Sequence, residues 1–124
     1  MLFDTTQLAL HGVISGAARR HEALATNIAN ANTPGYQRLD VDFHSRLAAA
    51  LGSGSADAGS AIEHMSFDPQ RDGSAGAVQA DGSTVDAERE SANLAQNALE
   101  SQAAVTVAQA RIHILQTAMG VGGR

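Results

Sequence analysis

The sequence contains no cysteine, no tryptophan and no lysine, and aromatic residues make up only 3% of its 124 positions. The absence of cysteine excludes a disulfide framework and cysteine-based metal sites. No run approaches the 18 apolar residues that a membrane-spanning helix needs. Alanine dominates the 44% hydrophobic fraction, and at roughly 25 cal/mol per Å² of apolar surface such a chain gains little by folding alone. We therefore expect it to bury surface against other chains.

Charge is also sparse, at 17% of residues, with a formal net charge of −5. A mildly acidic chain without a basic stripe argues against nucleic-acid binding. The first residues lack the basic and apolar regions of a Sec-type signal peptide. None of the five histidines pairs with another at metal-ligand spacing, and there is no phosphate loop or nucleophile elbow. The sequence thus predicts no enzyme, no metal, no cofactor and no small-molecule substrate.

Helical periodicity occupies both ends of the chain, from Asp4 to Ala31 and from Thr84 to Met119. Apolar residues recur there at alternating three- and four-residue spacing, which predicts one packing seam on each helix. The N-helix seam consists of Leu10, Ile14, Ala17, Leu24 and Ile28, and the C-helix seam of Leu94, Ala98, Val105, Ala108, Ile112, Leu115 and Met119. The predicted fold class is mainly α, with two long terminal helices pairing as an α-helical hairpin or coiled coil.

Start signals for the second helix precede its periodic region. Ser83 or Thr84 is predicted as its N-cap, since a hydroxyl oxygen can accept a bond from an N–H of the first turn. The nearby acidic residues Asp86, Glu88 and Glu90 suit the positive end of the helix dipole. This position explains the carboxylates as helix-start charges and argues against a catalytic pair.

The middle of the chain is polar and glycine-rich. We divide the sequence into an N-terminal segment 1–36, an irregular and partly flexible middle 37–83, a C-terminal helix 84–119 and a tail 120–124. Within the middle, the spacing of Phe43, Leu47 and Leu51 predicts a two-turn helix over 43–51. The Gly/Ser-rich stretch 52–60 is typical of a mobile linker.

The first helix is followed by a strong stop signal. Pro34 lacks a backbone N–H and disfavours helix at the preceding residue, and glycine follows it. Asn27, Asn30 and Asn32 fall just before this stop. Because asparagine amides can bond nearby backbone or a neighbouring chain, the pattern predicts a helix end that makes specific polar contacts.

The run Leu24-Ala-Thr-Asn-Ile-Ala-Asn-Ala-Asn-Thr-Pro-Gly-Tyr36 resembles the N-terminal signature of bacterial flagellar rod, hook and hook-associated proteins. Its signature positions are Asn27, Ile28, Ala29, Asn30, Asn32, Thr33, Pro34, Gly35 and Tyr36. The stretch 81–90, with 93–99 and Gln102, is similar to the C-terminal half of proximal rod proteins of the FlgB type. The sequence departs from that pattern at Ser101, where an aromatic residue is expected.

The resemblance implies a structural subunit of the proximal rod of the flagellar basal body, which transmits torque from motor to hook and lines the export channel. The implied partners are copies of itself, other rod proteins, the adaptor that joins ring to rod, and the flagellar type III export gate. The implied location is the rod in the periplasmic space, reached by export without a cleaved signal peptide. Phe43 and Leu47 fit the loose Phe-x-x-x-hydrophobic element that early export substrates of this family present to the gate.

Two other interpretations stay open at this point. The first is another axial or type III secretion structural protein that uses the same helical pair. The second is a soluble coiled-coil adaptor, which would fold without partners and remain inside the cell.

Overall fold

The computed structural model describes residues 4–54, 57–73 and 78–120. These ranges hold the helices and strands α1 (Thr5–Ala29), β1 (Leu39–Asp40), α2 (Phe43–Gly52), α3 (Ala58–Glu63), β2 (Gln70–Arg71) and α4 (Ala87–Ala118). The predicted mainly helical class, with a long helix at each end, is confirmed. Residues 121–124 of the predicted tail lie outside the described ranges.

The two long helices pack against each other in antiparallel orientation. Near the start of α1, the carboxylate of Asp4 accepts a 2.6 Å hydrogen bond from Arg111 in the last part of α4. In the middle of both helices, the side-chain amide of Asn97 donates to the carbonyl of Ala17 at 2.8 Å. With 32 residues against 25, α4 is the longer helix, so its last turns extend past the beginning of α1.

Asp86 is the N-cap of α4, and its carboxylate accepts bonds from the backbone N–H groups two and three residues further on, at 3.0 and 3.3 Å. The prediction of Ser83 or Thr84 as the cap is wrong. Both hydroxyl oxygens are engaged elsewhere, because Thr84 accepts from the N–H of Arg38 at 2.9 Å and Ser83 from the N–H of Val85 at 3.3 Å. A local turn at Ser83 and a tertiary bond at Thr84 thus leave the cap of α4 to the next suitable residue, Asp86.

The apolar core lies where α2 and α3 pack across the first half of α1. Ala17 and Ala23 of the buried core cluster come from α1, but the middle of the chain supplies its larger part: Val41, Phe43, Leu47 and Ile62. The end helices are too rich in alanine to fill this space, whereas the middle contributes a phenylalanine, a leucine and an isoleucine.

The helix α2 lies where a short helix was predicted. The stretch 52–60, interpreted as a linker, is not irregular throughout, since α3 begins inside it at Ala58. Ala58 and Gly59 are buried, and a Cβ at Gly59 would lie 3.1 Å from the Leu8 side chain of α1. Small residues at this point therefore allow a close approach of α3 to α1. Residues 55–56 lie outside the described ranges, and the segment boundaries stay predictions.

Gly16 lies directly against the Phe43 side chain of α2, and its replacement by alanine is expected to destabilise the fold. A Cβ at Gly16 would lie 2.5 Å from Cγ of Phe43, which is fully buried and cannot move aside. We expect Gly16→Ala to lower the free energy of unfolding by about 1–3 kcal/mol, although alanine favours helix by about 1 kcal/mol. Urea denaturation followed by circular dichroism measures the change. Gly52→Ala is the control, because no heavy atom lies within 4 Å of its added methyl group; equal losses in both variants would contradict the packing argument.

Candidate functional site

The signature stretch forms a turn that packs against the segment before α4. After α1 ends at Ala29, the chain reverses at Gly35, whose φ of +72° is unfavourable for residues with a Cβ. The Gly35 N–H donates to the carbonyl of Asp81 at 3.0 Å, and the N–H of Thr84 donates to the carbonyl of Tyr36 at 3.1 Å. The two stretches that resemble rod proteins, far apart in sequence, therefore lie side by side.

Asn27 stands at the centre of this junction and is fully buried. Its Oδ1 accepts from the N–H of Leu39 at 2.9 Å, while its Nδ2 donates to the carbonyl of Leu39 at 2.7 Å and to Glu90 at 3.0 Å. The Tyr36 hydroxyl donates to Asn27 Oδ1 at 3.3 Å. Burial and the negative charge of Glu90 raise the pKa of Tyr36, so the phenol keeps its proton. One amide, which both donates and accepts, thus links α1, β1, α4 and the signature turn.

A partly buried ion-pair network surrounds this amide, with Arg38 and Glu90 as its buried members. The guanidinium of Arg38 donates to Glu90 through Nε, to Asp72 through Nη1, and to Asp40 through Nη2 at 2.9 Å. Asp40 also accepts from Nε of Arg20 at 2.8 Å. Burial by itself would lower the pKa of Arg38, but the hydrogen bonds to Glu90 and Asp40 outweigh it and raise that pKa. We call Asn27 and these five charged residues the junction network.

Acid is expected to weaken the junction network through Asp40. Burial raises the pKa of Asp40, but the hydrogen bonds from Arg20 and the N–H of Val41 outweigh it, so this pKa lies below its ordinary value of 3.8. Because the folded-state pKa is lowered, the stability that Asp40 contributes is complete above the unfolded value and is lost as pH falls through the folded value.

We expect Asp40→Asn to flatten the fall in unfolding free energy below about pH 4, relative to the unmodified chain. Urea denaturation at a series of pH values measures this slope. Glu63→Gln removes one carboxylate from an exposed position of α3 and serves as the control. An unchanged slope in Asp40→Asn would contradict the assignment.

Of the other signature residues, some form hydrogen bonds with near neighbours in the chain, and others are exposed to solvent. Asn30 closes the end of α1, because its Nδ2 donates to the carbonyl of Thr26 at 2.9 Å and its Oδ1 accepts from Thr33 at 3.2 Å. Ile28 is half-buried, whereas the exposed members are Ala29, Asn32, Thr33, Pro34 and Gly35. The predicted specific polar contact is therefore made chiefly by Asn27.

The predicted seams are buried unevenly within the single chain. On α1, Ala17 and Leu24 are fully buried, and Leu10, Ile14 and Ile28 are half-buried. On α4 the buried positions are Glu90, Asn97 and Ala104, seven residues apart. Leu94, Val105 and Ala108 of the C-helix seam are half-buried, and its exposed members are Ala98, Ile112, Leu115 and Met119.

Sequence reasoning missed Arg38 and Asn97 and took Glu90 only for a helix-start charge. The available signal was the heptad spacing of Glu90, Asn97 and Ala104, which puts all three on one face of α4. Polar residues at such spacing indicate a seam held by hydrogen bonds.

Phe43 and Leu47, the predicted export element, lie together in the apolar core, and both are buried.

A polar cleft of about 360 Å³ lies beside the junction network, and several of its charged groups are bonded to other groups of the protein. Arg46 donates to the carbonyl of Ser66, and Asp42 accepts from the N–H of Ser45 at 3.2 Å. The lining residues are Arg20, Asp40, Val41, Asp42, His44, Arg46, Asp68, Gln70, Arg71 and Asp72.

Within residues 4–54, 57–73 and 78–120, no cluster of three or more potential ligands is arranged to hold a metal ion. In the same ranges, no helix has the length and hydropathy needed to cross a membrane.

Comparison with known proteins identifies relatives of this chain by sequence. The family described as "Flagella basal body rod protein" matches residues 15–37, the second half of α1 and the signature turn. The flagellar basal body rod protein FlgB of Yersinia enterocolitica is 35% identical over 120 residues, which cover 85% of this chain and 86% of the relative. FlgB of Salmonella typhimurium is 38% identical over 103 residues (73% and 75%), and that of Escherichia coli 35% over 109 residues (77% and 78%). The chain belongs to the FlgB family of flagellar basal body rod proteins, and is therefore a structural component of the basal body that assembles with other basal-body components.

Proposed function

We propose that this chain is a subunit of the proximal rod, that it transmits torque from motor to hook, and that it lines the export channel. The observation that carries the proposal is the hairpin of α1 and α4, fastened at one end by the junction network. A fully bonded buried polar network makes a structure rigid. A shaft that transmits rotation needs such rigidity within each subunit.

The distal part of α4 supports assembly into a multi-chain rod. Ile112, Leu115 and Met119 are 46%, 55% and 70% exposed, and they belong to the predicted C-helix seam. Exposed apolar surface of this kind marks sites of protein interaction. We propose that neighbouring rod subunits cover these side chains, which completes the seam that a single chain leaves open.

Placing a charge in this distal seam is expected to block assembly without unfolding the chain. Because Leu115 is exposed, we expect Leu115→Asp to keep its helical circular dichroism. In the rod the carboxylate would be buried without a partner, which costs several kcal/mol, so swimming and recovery of intact rods should be lost. Thr117→Asp places the same charge on a different face of α4 and is expected to swim. Normal swimming of Leu115→Asp would refute a buried distal seam.

The proposed partners are copies of this chain, other rod proteins, the ring-to-rod adaptor and the type III export gate. The proposed location is the periplasmic part of the basal body, reached without cleavage of a signal peptide. Since Phe43 and Leu47 are buried in the folded chain, we propose that the export gate contacts them before the chain folds. Family membership supports these assignments.

We propose no catalytic role, no cofactor, no small-molecule substrate and no nucleic-acid partner. The polar cleft is the place where such chemistry would be sought. Several of its charged groups are instead used in bonds within the protein, since Arg20 donates to Asp40 and Asp72 accepts from Arg38 of the junction network. These contacts give the cleft a structural role beside the junction network.

A deletion strain tests the proposed function directly. We expect non-motile cells that retain basal rings but lack rods, and restored rods when the gene is supplied in trans. The localisation of the protein distinguishes the alternative of a soluble adaptor, which would remain in the cytoplasm and be absent from purified basal bodies. Complete rods in the deletion strain would overturn the proposal.

A further inference from the structure

A groove of about 360 Å³ lies between the middle of α1 and the middle of α4. Small side chains form much of its lining, and none of the lining residues is a carboxylate, an arginine or a lysine. The lining residues are Ala17, Ala18, His21, Asn97, Ala98, Ser101, Gln102 and Val105. Ser101 is half-buried, and an aromatic residue at this position would occupy part of the space that the serine leaves open.

Asn97 gives this groove an unsatisfied hydrogen-bond acceptor. The residue is 1% exposed, and its Nδ2 donates to the carbonyl of Ala17 at 2.8 Å. Its Oδ1 has no hydrogen-bond partner, and no other buried side-chain oxygen or nitrogen in the described part of the chain shares that condition. A buried acceptor without a donor costs about 1–3 kcal/mol. A donor brought by another molecule would remove that cost.

A row of glutamines on α4 supplies donors of the right chemistry. Gln102, Gln109 and Gln116 recur every seven residues, so they lie along one line of the helix, and all three are exposed. Gln102 already lines the groove of its own chain, which leaves the other two free to reach a neighbour. The amide of glutamine carries two N–H donors and a carbonyl acceptor. A surface that carries both donors and acceptors can form hydrogen bonds with the same surface on a second copy of the chain.

We propose that the groove receives the side chain of Gln109 or Gln116 from a second copy of this chain, whose Nε2 donates to Oδ1 of Asn97. The inference rests on the proposed function, because copies of a rod subunit lie side by side in the rod. The groove favours a neutral amide over a cationic donor, since none of the lining residues is a carboxylate that could balance the charge. The contact is polar but uncharged, so screening by salt does not weaken the contact itself.

Sedimentation equilibrium of the full chain tests the groove side of this contact. We expect the unmodified chain to self-associate, and Ser101→Leu, which fills the groove, to raise the dissociation constant at least about tenfold. Ser91→Leu is the matched control on the same helix outside the groove and is expected to associate normally. Circular dichroism establishes that each variant is folded. A chain that stays monomeric at every concentration, or unchanged association of Ser101→Leu, would overturn the proposal.

The glutamine side is tested with substitutions that leave the groove intact. Gln109→Glu combined with Gln116→Glu replaces two exposed amides by carboxylates, so the fold is expected to persist while self-association is lost. If Ser101→Leu does not fold, this double variant alone tests the proposed contact between the two copies. Full association of the double variant would also overturn the proposal.

Cysteine cross-linking locates the contact, because the chain has no cysteine of its own. Ser101→Cys protein is mixed under oxidising conditions with Gln109→Cys or Gln116→Cys protein. A disulfide needs Cα atoms within about 7 Å, so one of these mixtures is expected to give the mixed dimer at a higher yield than the control mixture with Ser91→Cys. Equal yields in all mixtures would refute the assigned contact. The deletion phenotype is measured separately, so the proximal-rod function would survive such a result.

Discussion

Arg38→Met is expected to be among the most destabilising single substitutions, with a loss of about 3–5 kcal/mol in the free energy of unfolding. Glu90 is fully buried on α4, and its carboxylate contacts Arg38 and the amide of Asn27. Removing the guanidinium leaves a buried carboxylate with one neutral donor. In the folded variant, the Glu90 carboxylate then either stays charged without a counter-charge or takes up a proton. Urea denaturation followed by circular dichroism measures the loss.

A double substitution separates the unpaired charge from lost packing. Arg38→Met combined with Glu90→Leu removes both charges, and we expect it to recover more than half of the stability, since apolar replacements of buried pairs are often well tolerated. Arg19→Met is the surface control. Arg19 forms a 3.2 Å pair with Glu22 in which both side chains are more than 60% exposed, and such pairs contribute at most about 1 kcal/mol. Similar losses in Arg38→Met and Arg19→Met would show that the buried pair has no special role.

Phe43→Ala is expected to lower the free energy of unfolding by a similar amount, about 3–5 kcal/mol. Phe43 is fully buried at the start of α2, where its ring packs over Gly16 and meets Phe67 edge-on with 6.5 Å between ring centroids. Among residues 4–54, 57–73 and 78–120, Phe43 is the largest fully buried side chain. The truncation therefore leaves a cavity that α1 and α2 cannot close without moving apart.

Leu51→Ala provides the matched control for this cavity. Leu51 lies two turns further along the same helix and is exposed, so its truncation removes little buried surface. We expect a change within about 0.5 kcal/mol, as for surface substitutions elsewhere. Chemical denaturation of both variants compares the two sites. A small loss in Phe43→Ala would indicate that the core between α1 and α2 is loosely packed.

The junction network gives the rod signature a physical role within the subunit. Asn27 and Tyr36 come from the signature, and Glu90 from the stretch of α4 that resembles proximal rod proteins. Their contacts hold the two terminal segments together at one end of the hairpin. The exposed members of the signature, Ala29 and residues 32–35, take no part in this network. They are available at the surface of the subunit, beside the point where the helices are joined.

Much of the architecture follows from local sequence patterns. The periodicity at both ends predicts α1 and α4, and the spacing of Phe43 and Leu47 predicts α2. Such patterns are reliable for helices because residues three and four apart share a face whatever the rest of the chain does. Asp86 shows the limit, since Ser83 and Thr84 were equally good candidates to cap α4. A local bond to the N–H of Val85 occupies Ser83, and only the tertiary bond from Arg38 removes Thr84 from that role.

By itself, the amino-acid sequence determined the family, the two long helices, the scarcity of large apolar side chains and the stop after α1. Each of these depends on residues close together in the chain. The tertiary structure alone decided that Arg38 meets Glu90 across 52 positions, that the middle of the chain supplies most of the core, and that Asn97 has an unsatisfied acceptor. The physical reason is that a buried hydrogen bond or ion pair requires partners whose separation in sequence carries no periodic signal, so it exists only once the helices have been brought together.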